Sequence, residues 1–157
     1  MTGIVNDPTV GKLNRVTQTI NFANSPWKNI ASGKKLFIVS GFVFIRLTAA
    51  CVATLTNASG TTNMKLGITD FSTTALIGST NHNSIVTNSL WYDAATSAPT
   101  VNSYTTITAG SPMIFVTSKN ITVSVESVAL TGGSINFICD WYPITVAATV
   151  SAGDGTV

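Results

Sequence analysis

Leu36 to Leu55 reads LFIVSGFVFIRLTAACVATL, twenty residues that are either a membrane-spanning helix or the strands of a sandwich core. Length alone permits a bilayer span, and Lys34 and Lys35 precede it. Arg46 near its middle is costly in hydrocarbon, and Ser40-Gly41 interrupts it. Its residue types settle the reading, because Val, Ile, Phe and Thr favour strands. As strands, the odd positions Phe37, Val39, Val43, Ile45, Leu47, Ala49, Cys51, Ala53 and Leu55 form an apolar row for the core. The even row, Leu36, Ile38, Phe42, Phe44, Arg46, Thr48 and Val52, is apolar first and mixed later. A neighbouring subunit or the N-terminal arm is therefore expected over Phe42 and Phe44.

A second pair of β-rich runs, Ile121–Leu130 and Ile135–Tyr142, is joined by Thr131-Gly132-Gly133-Ser134. Glycine supplies positive φ, so the pattern predicts a hairpin. A three-residue loop with a bulge aligns Ile121, Val123 and Val125 with Ile135, Phe137, Cys139 and Trp141, leaving Glu126 and Asp140 outside. Pro143 should end its strand. Shorter strands are predicted at 64–70, 75–78, 84–87, 101–107 and 112–117, separated by Ser, Thr, Asn and Gly breaks. Eight or nine short strands imply an all-β fold, an antiparallel sandwich of jelly-roll type.

One domain suits 157 residues. Residues 34–145 are expected to form the sandwich. Residues 1–33 are read as an arm with one strand pattern, Leu13–Phe22, that orders on a partner, so a chain lacking residues 1–25 should still fold. Residues 146–157 are read as a weakly tethered tail. The start lacks the basic and apolar regions of a signal peptide, which makes cytoplasmic synthesis the expectation.

Hydrophobic residues are 45% of the chain and charged ones 9%. A soluble monomer usually covers itself with more charge, so burial against another chain is expected. The net charge of +2 comes from scattered basic residues with no stripe for nucleic acid. His82, the sole histidine, lies in an Asn-rich turn and is read as exposed and idle, which leaves no multi-histidine metal site. There is no nucleophile elbow, calcium loop or phosphate loop, and the six carboxylates are dispersed, so no catalytic residue, metal or cofactor is assigned. Glycan cleavage by a carboxylate pair is an open but disfavoured alternative. Cys51 and Cys139 fall on apolar rows and should be buried, reduced thiols. Trp27, Trp91 and Tyr92 are candidates for partner contact, or else anchors of their own loops. Phe42, Phe44 and Ile138 are the candidate subunit interface.

The stretches Lys34-Lys35-Leu36-Phe37-Ile38-Val39, Met64-Lys65-Leu66-Gly67-Ile68-Thr69, Thr108 to Val116 and Ile138-Cys139-Asp140-Trp141-Tyr142 together resemble the small jelly-roll virion proteins of tailed bacteriophages. The resemblance spans most of residues 34–144. It implies a non-enzymatic homotrimer in the virion that binds the major capsid protein or other virion subunits. The first role implied is a capsid decoration subunit that stabilises the head, and the alternative is a receptor- or glycan-binding head or tail fibre or tail tip. No nucleic acid, membrane or cofactor is implied.

Overall fold

The computed structural model describes residues 12–24, 26–29, 31–93, 99–103 and 114–157; residues 32, 72–75, 93, 99–103, 114 and 115 are described by their backbone alone. Two antiparallel sheets make a sandwich. One has the order β1 (Asn14–Asn21), β10 (Leu130–Pro143), β3 (Phe42–Asn57), β6 (Ser89–Asp93), β7 (Pro99–Ser103), with β8 (Ile114–Thr117) also pairing with β3. The other has the order β11 (Thr149–Ala152), β2 (Ala31–Ser40), β9 (Ile121–Glu126), β4 (Asn63–Ile68), β5 (Ser72–Asn81). The chain changes sheets between β1 and β2, β2 and β3, β3 and β4, β5 and β6, β8 and β9, β9 and β10, and β10 and β11, as in a jelly roll. No helix among the described residues is long and apolar enough to cross a membrane.

The opening stretch divides at Gly41. β2 lies in one sheet and β3 in the other, and Gly41 turns the corner with φ +74. A side chain there would also press within 3.0 Å of the Ala148 methyl. Phe37, Val39, Val43, Ile45, Leu47, Ala49, Cys51 and Leu55 are buried as the odd row demands, while Ala53 is exposed. Leu36 breaks the alternation and is buried beside Phe37, where the pairing of β2 with β9 shifts register.

The predicted hairpin is corrected. β9 and β10 lie in different sheets, linked through Ser127 at φ 75, so their apolar rows face one another across the core instead of pairing edge to edge. Gly132 and Gly133 sit inside β10, at register shifts against β3. Gly133 has φ +96, and a Cβ there would lie 2.5 Å from the Thr54 carbonyl oxygen. The freedom that reads as a turn is used for a bulge and a close backbone approach. Pro143 does end β10.

Both ends of the chain are also corrected. In β1, Ile20 turns inward, Phe22 follows just past its end, and both are buried in the main core. Removing residues 1–25 would therefore remove core; of the expected arm, residues 1–11, 25 and 30 lie outside the described residues. Residues 149–152 form an edge strand on β2 rather than a tail. Gln18 closes the sandwich edge, its Nε2 donating to the Gly153 carbonyl at 2.8 Å while its Oε1 accepts from the Gly153 amide. Of the shorter predictions, 84–87 contains no strand: a 3-10 turn, His82–Ser84, occupies its start. Residues 89–93, outside every predicted strand, form β6. Residues 104–107, 112 and 113 of two other predicted strands lie outside the described residues.

Candidate interaction surface

The outer face of the β1-β10-β3 layer is built from cross-strand rungs fixed by register. β3 turns its even residues outward, and β10 sets Tyr142 opposite Phe44, Asp140 opposite Arg46 and Ile138 opposite Thr48. β1 extends two rungs, with Arg15 opposite Asp140 and Thr17 opposite Ile138. At the Gly41 corner the Ile144 amide donates to the Phe42 carbonyl, continuing the ladder. Phe42 is 42% exposed, Phe44 43%, and Leu13 and Ile144 are exposed as well. Apolar side chains thus gather at one end of the face.

The next rung is ionic. Arg15 grips Asp140 with two bonds, Nε to Oδ1 at 2.7 Å and Nη2 to Oδ2 at 3.1 Å, and Arg46 Nη2 reaches Oδ2 at 3.1 Å. The carboxylate is buried, whereas the side chains of Arg15 and Arg46 are 61% and 43% exposed. Hydrogen bonding from Arg15 holds the Asp140 carboxyl below its ordinary pKa; burial opposes this and Arg46 adds to it. Two cations on one anion leave the rung at +1. Sequence reading placed Asp140 outside and Arg46 on the even row but did not join them, because the partner of Arg46 depends on how β10 registers against β3. Arg15 lies 125 residues from Asp140 in the chain.

Ile138 lies beyond the ionic rung, half-buried between Thr48 and Thr17. It therefore does not adjoin Phe42 and Phe44, from which Arg46 and Asp140 divide it.

Trp91 and Tyr92 are corrected as partner contacts. Trp91 is 0% exposed; its ring meets Phe137 edge to face at 6.5 Å between centroids, and its Nε1 donates to Thr80 Oγ1. Tyr92 is buried too. Trp27 is half-buried and packs on the core. Its turn is pinned by the buried Lys34, whose ammonium donates to the carbonyls of Pro26, Trp27 and Asn29. Burial pushes that lysine down to about 8.

His82 is buried rather than exposed, with its backbone amide donating to the Thr62 carbonyl and its Nδ1 3.3 Å from the same oxygen. Cys51 and Cys139 are buried free thiols. Cys51 pairs across from Ile135, four residues from Cys139, a separation of about 13 Å along a strand, too far for a bridge. Burial pushes Cys51 up to about 11 and Cys139 up to about 12, so both stay protonated near neutral pH.

No family model matches the sequence, and no curated protein matches it. Among solved structures, a chain of the "Acidic stable capsid structure of Helicobacter pylori bacteriophage KHP30" aligns with a TM-score of 0.54 at 12% identity. The alignment covers 90% of this chain and 94% of that one. The likeness is one of fold, and it spans nearly the whole chain rather than a shared fragment.

Proposed function

We propose that this protein is a non-enzymatic structural subunit of a bacteriophage virion, and within that class a decoration subunit that binds the assembled head and stabilises it. The observation that carries this reading is the near full-length correspondence of fold with a chain of a phage capsid structure. Composition supports it, since 9% charged residues suit a chain that shares surface with neighbours. A ligand that binds only the folded, assembled lattice stabilises it by mass action.

The subunit is a homotrimer that contacts its own copies through the apolar corner around Phe42 and Phe44. Closed cyclic symmetry is the usual way to cover such a patch, and the order of three follows from the resemblance to phage jelly-roll subunits. Trp27, on its pinned turn, is a further contact with the major capsid protein or another virion subunit. The protein is made in the host cytoplasm and resides in the virion.

Purified protein mixed with undecorated heads and centrifuged should sediment with them, and light scattering should give three chains per particle of free protein. Adsorption to host cells without head binding would replace the decoration role by that of a fibre tip. A monomer at micromolar concentration would overturn the assembly.

A further inference from the structure

The ionic rung gives the second half of the outer face a chemistry of its own. Arg15 spends Nε and one Nη2 proton on Asp140, and Arg46 spends one Nη2 proton, so donors remain on both guanidinium groups. Both side chains reach solvent, Arg15 more than Arg46, while anchored from below by the same carboxylate. Anchoring fixes rotamers that a free arginine would have to give up on binding. Thr17, Thr48 and Ile138 border the pair on the side away from the phenylalanines.

We propose that Arg15 and Arg46 form a preorganised receptor for a carboxylate on a different protein, whose surface around that carboxylate is apolar. A second copy of this chain offers no unpaired side-chain carboxylate among the described residues. Every described side-chain carboxylate already stands by a cation of its own chain: Asp70 by Lys119, Glu126 by Lys65, Asp140 by the two arginines, and Asp154 in the field of Lys35. A polyanion is a poor occupant, because Asp140 reduces the two guanidinium charges to a net +1, which matches one carboxylate. The identity of the partner as a head protein rests on the function proposed above; the carboxylate specificity does not.

The test uses the full chain and, as probe, a blocked peptide that carries one Asp flanked by Leu and Ser residues. Titration followed by the arginine Nε–H resonances should shift Arg15 and Arg46, and in the Arg15→Gln and Arg46→Gln variants, each of which lacks one of the two signals, the remaining one should shift less at the same probe concentration. Each variant should bind the probe about tenfold more weakly, with its free oligomeric state unchanged in light scattering. No shift at either arginine in the unaltered protein would overturn the proposal, and that measurement needs no variant to fold. Tighter binding of a single-stranded oligonucleotide than of the peptide would also overturn it, in favour of a phosphate site. If the peptide result holds and heads still fail to bind, the decoration role fails and the carboxylate site stands.

Discussion

The two outer faces of the sandwich are made from strands of similar pattern and end in opposite chemistry. Along β9, Ile121, Val123 and Val125 enter the core while Thr122 and Ser124, turned the other way, are also buried. Ser124 Oγ accepts from the Gly33 amide, and Lys65 meets Glu126 at 2.6 Å, so the β9 and β4 part of that face is small, neutral and satisfied within its own chain. Across the sandwich, β3 presents Phe42, Phe44 and Arg46 at the equivalent outward positions. Large apolar groups and a net positive rung stand where the other sheet has hydroxyls and a balanced pair. At β9 and β4 the first face is closed within its own chain, whereas the second leaves Phe42 and Phe44 exposed, the kind of patch that marks contact surfaces.

The largest effect should come from the core that both faces share. Phe137 is fully buried against Trp91. Phe137→Ala should cost about 3–5 kcal/mol in urea unfolding, and it should weaken contacts on both faces together. A loss below about 1 kcal/mol would mean that the two sheets are not held by one core.

Much of this comparison was legible in the sequence, and the missing part is long-range register. The odd row of 37–51 is buried and Phe42 and Phe44 turn outward, because side-chain alternation is a local rule. The Gly132-Gly133 signal is ambiguous because positive φ serves a bulge as well as a turn, and only the approach of Thr54 and Leu55 distinguishes them. Nothing local marks Trp91 and Tyr92 as strand residues, because Ser89–Asp93 is too short to show a period. The Arg15–Asp140–Arg46 rung draws on β1, β10 and β3, so no local window contains it. Thr149–Ala152 has one inward apolar residue, Val150, and its pairing comes from the free edge of β2.

A smaller effect should separate the faces by pH. The unfolded Asp140 carboxyl titrates near ~3.9, and its folded value is lower, chiefly because of Arg15. The folded state therefore binds fewer protons in the interval between the two values. This contribution is fully present above the unfolded pKa and is lost as pH falls through the folded one. Asp140→Asn should cost about 1–2 kcal/mol at pH 7 and flatten the acid limb of stability measured by urea midpoints from pH 6 down to pH 2. An unchanged acid limb would mean that the rung adds nothing to the fold and that its arginines are held by other means.

The smallest change in fold stability should accompany the sharpest difference in assembly. Phe44 is already half in solvent in the isolated chain, so Phe44→Asp should alter unfolding of the subunit by only about 1 kcal/mol. In the assembly it would place a charge inside an apolar contact, which is strongly unfavourable without a partner. Glu126→Ala, on the opposite face, removes half of a partly exposed ion pair and should cost about 0.5–1 kcal/mol. The two variants should therefore be near equals in urea and unequal in light scattering, with dissociation at micromolar concentration only for Phe44→Asp. Equal oligomeric states would show that the corner around Phe42 and Phe44 is not the self-contact. The whole β1-β10-β3 face, apolar end included, would then belong to the heterologous partner that the arginine rung is built to receive.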